Sequence, residues 1–333
     1  MTFPRQDWEQ GPQLTGDPAA LAALLDPAFA VDTTPELGRS LAFVAVQGGR
    51  VVAERYGPSV GPDTPLISWS TAKSFTQAAL GILALDGRFD PDEPFRTPEW
   101  AGDDPRAAIT GTDLLRMRSG LHFVEDYVDD TVSDCLEMLW GSGADDVAGY
   151  AASRPLEHPA GAHFSYSSGT TNILARRLSD EFGPGPDGVG AFLRTRLFEP
   201  LGMHSAEPRY DAAGTWVGSS YLYATARDFA RFGLLYLRDG VWDDRRLLPE
   251  GWVDRARTPR SEDPEDGWLY GEHWWVRGDD LGTFWANGYE GQMIAVVPAL
   301  DLVVVRLGKS PSELRPHLEG FWAAVVDCFR EET

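Results

Sequence analysis

Apolar residues recur with the period of strands near both ends of the chain and with the period of helices in the middle. Near the N-terminus, two β-rich runs flank Gly48-Gly49 and predict a hairpin. The segment 70–86 repeats apolar side chains at intervals of three and four residues, which predicts a helix that Gly87 ends. The apolar face of this helix comprises Phe75, Ala78, Ala79, Ile82 and Leu83.

Helical patterns dominate from about residue 110 to residue 238, and short strand patterns follow. The predicted helices cover residues 112–118, 133–140, 145–153, 170–182 and 188–197, and a further helix begins at an N-cap formed by Thr225. The predicted strands cover residues 272–277, 283–286, 292–297 and 302–307, before a closing helix at 313–331.

This order of elements predicts an α/β (α+β) fold, in which an antiparallel sheet is built from both ends of the chain. Terminal helices would flank the sheet, and an all-helical lobe would be inserted into it. The sheet lobe is expected to comprise residues 1–67 and 225–333, and the helical lobe residues 68–224. A cleft between two such lobes is a natural place for an active site.

Composition narrows the classes of partner. The chain has 29 Lys and Arg against 51 Asp and Glu, a net charge of −22, which disfavours nucleic acid and anionic membranes. Its two cysteines, Cys135 and Cys328, form no disulfide or metal-binding motif. The N-terminus lacks a basic-then-apolar leader, and no apolar run reaches the length of a membrane span. The sequence therefore predicts a cytoplasmic protein with no cofactor and no metal.

The segment Ser70-Thr-Ala-Lys73 places a hydroxyl and an amine three residues apart at the start of the predicted helix. Side chains at this spacing are neighbours on one helix face. A serine is a weak nucleophile until a base takes its proton, and a buried lysine can be that base. The motif is short, so a solvated helix face is the alternative; the apolar helix that follows Lys73 argues against it.

Tyr166, in Tyr166-Ser-Ser168, is a second candidate for proton transfer. A tyrosine next to an ammonium group can act as a phenolate-like base. The alternative is that Tyr166 only packs a loop before the helix at 170–182.

Taken together, Ser70-Thr-Ala-Lys73 and Tyr166-Ser-Ser168 resemble the motifs of the serine β-lactamase and penicillin-recognising enzyme superfamily, in its class C-like branch. Segments 109–121, 223–235 and 286–292 resemble later parts of the same proteins in the same order. The resemblance covers most of the chain. It implies a β-lactamase/DD-peptidase-like fold and a serine hydrolase without a cofactor.

Two departures from that pattern bear on the substrate. Class C-like members typically have Tyr-x-Asn, whereas the third position here is Ser168. Their Lys-Thr-Gly motif is replaced by Ala286-Asn287-Gly288, and an alanine cannot form an ion pair with a substrate carboxylate. The chain is therefore most similar to the branch that holds carboxylesterases and 6-aminohexanoate-oligomer hydrolases, which residues 119–127 and 304–308 also resemble.

The resemblance implies a role for each candidate residue. Ser70 would form an acyl-enzyme, while Lys73 and Tyr166 share the proton transfers. The backbone N–H groups of Ser70 and Tyr289 would form the oxyanion hole. The predicted substrate contacts are Tyr127, Ser168, Asn287 and Gly288. The expected partner is a small-molecule ester or amide, and the expected assembly is a monomer or a homodimer.

Two other functions stay open at this point. A D-Ala-D-Ala carboxypeptidase or β-lactamase would use the same nucleophile, and Ala286 argues against it. A catalytically silent protein that binds an amide or peptide on the same fold is the other alternative. The presence of Ser70, Lys73 and Tyr166 together argues against that interpretation.

Overall fold

An antiparallel sheet of eight strands is the framework of the computed structural model, which describes residues 3–4, 7–30, 36–127 and 132–331. In chain order the strands are β1 (Arg39–Gln47), β2 (Arg50–Tyr56), β3 (Leu66–Ile67), β4 (Glu207–Pro208), β5 (Leu222–Ala224), β6 (Val241–Trp242), β7 (Arg245–Arg246), β8 (Ser261–Glu262), β9 (Leu269–Tyr270), β10 (Trp275–Val276), β11 (Phe284–Gly288), β12 (Gln292–Val297) and β13 (Leu302–Lys309). The large sheet has the order β2-β1-β13-β12-β11-β10-β9-β8, while β3, β5 and β4 form a small second sheet.

The sheet joins the two ends of the chain, as the sequence predicts. Strand β1 pairs with β2, with Phe43 opposite Arg55, and also with β13, with Val44 opposite Val305. At the turn between β1 and β2, Gly48 has φ 62° and Gly49 has φ 78°. Glycine adopts this left-handed conformation without strain, so the Gly-Gly pair fits the tight hairpin.

Helices occupy the middle of the chain and both of its ends. They are α1 (Pro18–Ala28), α2 (Ala72–Leu85), α3 (Gly111–Leu115), α4 (Asp134–Trp140), α5 (Val147–Ala152), α6 (Ser168–Phe182), α7 (Val189–Leu193), α8 (Glu199–Leu201), α9 (Ala226–Leu237), α10 (Trp252–Arg257) and α11 (Arg315–Asp327). Thr225 caps α9, because its side chain accepts a hydrogen bond from the Asp228 N–H. None of the described helices is long and apolar enough to cross a membrane.

Helices cover both faces of the sheet. On one face, Leu25 of α1 and Phe321 of α11 pack with Phe43 of β1. On the other face, Phe75 of α2 and Phe232 of α9 stack with their ring centroids 3.5 Å apart. The prediction that terminal helices flank an antiparallel sheet is therefore confirmed. The lobe boundaries at residues 67/68 and 224/225 stay a prediction.

Several predicted helices differ in their bounds from the structure: the helix expected at 112–118 is Gly111–Leu115, and the one expected at 313–331 is Arg315–Asp327. Two further differences have a clear cause in the backbone. The helix expected at residues 70–86 begins only at Ala72, because Trp69–Thr71 form a 3-10 turn and Trp69 has φ 44°, outside the helical range. The helix expected at 188–197 ends at Leu193 and continues as a π-helical turn, Arg194–Phe198.

Candidate active site

Ser70 lies in the 3-10 turn directly before α2. The preceding residue, Trp69, has φ 44°, a left-handed conformation that is costly for a bulky side chain. The buried side chain of Ser68 fixes this turn to the end of β5: its Oγ donates to the Ser220 carbonyl at 3.1 Å and accepts from the Leu222 N–H at 3.1 Å. The strained turn is thus held by its surroundings, with Ser70 at its centre.

Lys73 lies one turn further on, in α2, with only 2% of its surface exposed. Its Nζ atom is 2.8 Å from Ser70 Oγ, 2.9 Å from Ser168 Oγ and 3.1 Å from the Ser219 carbonyl oxygen. These three partners satisfy the amine without a carboxylate in direct contact. The structure therefore brings the predicted pair together, as the three-residue spacing suggests.

Tyr166 lies in the loop before α6, with its ring centroid 4.9 Å from Lys73 Nζ. The ring stacks on Trp275 at 5.5 Å and meets the edge of Tyr270 at 6.2 Å. Burial raises the pKa of Tyr166 above its ordinary value, although the positive charge of Lys73 and the hydrogen bonds with Ser70 and Lys73 oppose that rise. The raised pKa favours the neutral phenol, and the part of Tyr166 in proton transfer stays a prediction.

Ser168 is the first residue of α6, and it links Lys73 to a residue that the sequence analysis did not single out. The Ser168 N–H donates to Glu125 Oε2 at 2.7 Å, and its hydroxyl donates to Glu125 Oε1 at 2.6 Å. The Tyr127 hydroxyl donates to the same Oε1 atom at 2.5 Å. In the sequence, residues 119–127 show only a general resemblance to one branch of the superfamily. No short motif marks Glu125 as part of the site.

Gly288, at the end of β11, lies against the Ser70 turn. A Cβ atom at this position would be 2.6 Å from the Ser68 carbonyl oxygen and 3.3 Å from the Ser70 nitrogen. Glycine is therefore required for the close approach of β11 to Ser70. This approach places the Tyr289 backbone, the next residue along, beside the Ser70 turn.

Two buried polar side chains hold the loop that carries Tyr289. Gln292 donates through Nε2 to the carbonyls of Tyr289, at 2.9 Å, and Gly308, at 2.8 Å. Arg306 is fully buried and donates to the Gly291 carbonyl at 2.9 Å. Burial lowers the pKa of Arg306 to about 10. The peptide that follows Tyr289 is thus held from the far side of the loop.

A cavity of about 180 Å³ opens beside Ser70. Its lining consists of Trp69, Ser70, Tyr127, Leu136, Leu139, Trp140, Ser220 and Tyr289. The rings of Tyr127 and Tyr289 lie 5.1 Å apart, and those of Trp69 and Tyr289 lie 5.8 Å apart. No Lys or Arg belongs to this lining, which is mostly apolar and aromatic and offers a carboxylate no ion pair.

Two predicted residues on β11 take no part in these contacts. Ala286 is buried and paired with Ile294. Asn287 lies opposite Met293, and its side chain makes no hydrogen bond within the described residues. Across the same described ranges, no group of three His, Cys, Asp or Glu side chains is arranged to hold a metal ion.

Comparison with known proteins gives relatives along most of the chain. A 6-aminohexanoate-dimer hydrolase of Paenarthrobacter ureafaciens is 28% identical over 306 residues, which cover 86% of this chain and 76% of that protein. Among solved structures, a Bacillus anthracis protein provisionally described as a 6-aminohexanoate-dimer hydrolase has a TM-score of 0.76 at 21% identity, covering 98% of this chain and 87% of that one.

A penicillin-binding protein of Bacillus halodurans has a TM-score of 0.67 at 20% identity, covering 86% of this chain and 96% of that one. These structural similarities establish the fold. The sequence profile described as Beta-lactamase matches residues 34–326, which is most of the chain. The chain therefore belongs to the beta-lactamase family.

Proposed function

We propose that this protein is a serine hydrolase that cleaves small esters or amides through an acyl-enzyme on Ser70. The observation that supports this most directly is the 2.8 Å contact between Ser70 Oγ and the Nζ of buried Lys73. An amine within hydrogen-bond reach can take the proton of a serine nucleophile. Ser70 also belongs to the wall of the cavity, where a substrate carbonyl can approach it.

In the acylation step, Ser70 Oγ bonds to the substrate carbonyl carbon, and its proton passes to Lys73. Tyr166, protonated at neutral pH, gives its proton to the departing alcohol or amine and takes the proton held by Lys73 in return. The carbonyl–heteroatom bond breaks, and an ester on Ser70 remains. In deacylation, a water molecule attacks this ester, its proton passes through the same pair back to Ser70, and the carboxylic acid leaves.

The negative charge on the carbonyl oxygen needs donors that are in place before the reaction. We assign this role to the backbone N–H groups of Ser70 and Tyr289. The close packing of Gly288 on the Ser70 turn supports this assignment. The hydrogen bond from Gln292 to the Tyr289 carbonyl supports it further, because it restrains the peptide that follows.

The proposed substrate carries an apolar acyl chain or leaving group and no carboxylate near the scissile bond. The aromatic and aliphatic lining of the cavity supports the first part, and the absence of Lys and Arg from that lining supports the second. The relative from P. ureafaciens is named for a short linear amide, so such amides belong in the first substrate panel. Tyr127 and Ser168 are proposed as polar contacts, and Asn287 as a weaker candidate.

A D-Ala-D-Ala carboxypeptidase or β-lactamase is the second candidate, favoured by membership of the beta-lactamase family. Penicillins and D-Ala-D-Ala peptides are anions. Ala286 and the cavity lining offer them no ion pair, so we place this function below the first. A silent binding protein is the third candidate, and the contacts of Ser70, Lys73 and Tyr166 count against it.

The experiment is hydrolysis of p-nitrophenyl butyrate, the linear dimer of 6-aminohexanoate and benzylpenicillin by wild type, Ser70→Ala and the control Ser153→Ala on the surface. We expect Ser70-dependent turnover of the ester or the amide, faster than that of penicillin. Faster turnover of penicillin would favour the second candidate. No turnover and no labelling by a fluorophosphonate would favour the binding protein. A cytoplasmic location stays a prediction. A monomeric or homodimeric state is also a prediction, and gel filtration of the purified protein would test it.

A further inference from the structure

Glu125 lies at the end of a chain of hydrogen bonds that begins at Lys73. Lys73 Nζ is 2.9 Å from Ser168 Oγ, and Ser168 Oγ is 2.6 Å from Glu125 Oε1. Four donor groups converge on the two oxygens of Glu125: the N–H and the hydroxyl of Ser168, the hydroxyl of Tyr127 and the thiol of Cys135. This pattern fits an ionised carboxylate, which can only accept hydrogen bonds.

The direction of each hydrogen bond in this chain is fixed by chemistry. Because Glu125 accepts, the Ser168 hydroxyl hydrogen points towards Glu125, and a lone pair of Ser168 Oγ faces Lys73. The Ser219 carbonyl, 3.1 Å from Lys73 Nζ, can also only accept. Two of these polar neighbours of Lys73 therefore require N–H groups, whereas the Tyr166 hydroxyl, which also hydrogen-bonds to Lys73, can donate or accept.

The third polar neighbour of Lys73 is Ser70 Oγ, at 2.8 Å. A neutral amine has two N–H groups and one lone pair. When Lys73 is neutral, both N–H groups are used by Ser168 and Ser219, so the lone pair is directed at the side where the hydroxyls of Ser70 and Tyr166 lie, with Ser70 Oγ at 2.8 Å. This is the orientation that a general base needs.

We propose that Glu125 is a positioning residue: by accepting the Ser168 hydroxyl hydrogen, it keeps the lone pair of Lys73 directed at Ser70. This inference rests on the proposed hydrolase function. Glu125 does not touch the reacting atoms and acts through Ser168. Its contact with Tyr127 also couples the cavity wall to the same hydrogen-bond chain.

The groups that face Glu125 from the elements packed around it are a thiol, two phenols and, through Ser168, the amine of Lys73. Burial raises the pKa of the Cys135 thiol, which faces Glu125 from α4 with its Sγ 3.7 Å from Oε1. Burial also raises the pKa of Tyr127, on the same loop, and that of Tyr166, from the loop before α6. The amine of Lys73, from α2, is linked to this carboxylate by way of Ser168.

The substitution Glu125→Gln preserves shape and removes this directionality. The glutamine amide can donate to Ser168 Oγ, which lets the serine hydrogen turn towards the lone pair of Lys73 and compete with Ser70. We expect kcat for p-nitrophenyl butyrate to fall about 10- to 100-fold, with KM changed less than threefold, since Glu125 reaches the cavity only through the Tyr127 hydroxyl. Glu157→Gln, an exposed acid on the same lobe, is the matched control for the lost charge.

The pH profile separates positioning from simple structural support. Removing a negative charge disfavours the protonated form of the neighbouring site, so the ascending limb of kcat/KM should move to lower pH by roughly one unit. Glu125→Asp keeps the charge and shortens the reach. This variant should keep the ascending limb of kcat/KM at the wild-type pH while kcat falls in part. It also replaces the glutamine variant in the test if that variant does not fold.

A double-mutant cycle completes the test. In a Ser168→Ala background, Glu125→Gln should have less than a threefold effect, because its route to Lys73 is gone. The inference would be overturned if Glu125→Gln kept the wild-type kcat and the wild-type ascending limb of the kcat/KM pH profile. It would also be overturned if the fold-losses in kcat of the two single variants multiplied in the double variant. Failure of the proposed function would be seen differently, as a wild type without Ser70-dependent turnover.

Discussion

Lys73 Nζ lies 2.8 Å from Ser70 Oγ, and the two residues belong to different backbone geometries. Ser70 is in the 3-10 turn Trp69–Thr71, while Lys73 is already in α2. Because Lys73 is buried, its amine cannot turn to solvent and stays in contact with the Ser70 hydroxyl. This contact is the foundation of the proposed mechanism.

Replacing Lys73 should abolish catalysis and preserve the fold. We expect Lys73→Ala to lower kcat by about 10² to 10⁴-fold, because a general base typically contributes that much. The chain has one other lysine, Lys309, which is exposed at the end of β13 and provides a matched control. Steady-state kinetics and circular dichroism of the two alanine variants make the comparison. Equal activity of both variants would remove Lys73 from the mechanism.

Gly288→Ala should damage the proposed oxyanion hole. The added methyl group would lie 2.6 Å from the Ser68 carbonyl oxygen and 3.3 Å from the Ser70 nitrogen, so β11 or the Ser70 turn must shift. Losing one oxyanion donor costs about 10²-fold in kcat, and we expect a loss of this order. Gly320→Ala, in α11 with no atom within 4 Å of the new Cβ, is the control and should keep full activity. Wild-type kcat for Gly288→Ala would contradict the assignment of Tyr289.

His273 should make the protein acid-sensitive. It is fully buried between the Leu115 carbonyl, 2.9 Å from Nδ1, and Thr171 Oγ1, 3.0 Å from Nε2, and burial lowers its pKa from 6.5 to about 3. Between these pH values the unfolded chain binds a proton that the folded chain does not. The contribution to stability is therefore present above pH 6.5 and is lost as the pH falls, by about 2 kcal/mol at pH 5.

Urea unfolding at several pH values measures this dependence. His273→Asn suits the left-handed backbone there, φ 59°, and should lose stability at neutral pH but show a flatter decline towards pH 5 than wild type. His317→Asn, at an exposed position, should follow the wild-type curve. A wild-type slope retained in His273→Asn would show that other groups cause the acid sensitivity.

A negative charge on the acyl chain of the substrate should slow its hydrolysis. We expect p-nitrophenyl butyrate to exceed the hemisuccinate ester, which has a terminal carboxylate, by about tenfold or more in kcat/KM at low salt. The reason is the cavity lining, which contains no Lys or Arg. Raising the ionic strength should narrow the difference if the acidic surface contributes to it. Equal rates for the two esters would reject this substrate preference.

The sequence predicted the parts of the site that short motifs carry. Ser70 and Lys73 are one turn apart, so local periodicity was enough to place them together. Tyr166 and Ser168 came from the family resemblance, and the structure brings both to Lys73. The kinetic experiments described above test whether these residues have the predicted catalytic roles.

Other features depend on contacts that no local pattern encodes. Glu125 reaches Ser168 across 43 residues of chain, and Ser219 contributes only a backbone carbonyl, which any residue could supply. The strands β8 and β9 have two residues each, too short for an alternating pattern to be visible. The turn at Trp69 was missed because its backbone is held by Ser68 and β5, against the preference of the residue itself.

The most direct test of the central claim is rapid-quench mass spectrometry during turnover of p-nitrophenyl butyrate. The proposed mechanism predicts that one butyryl group accumulates transiently on wild-type protein, that peptide mapping places it on Ser70, and that Ser70→Ala forms none. Turnover without a covalent adduct, or an adduct on another residue with activity kept in Ser70→Ala, would contradict it.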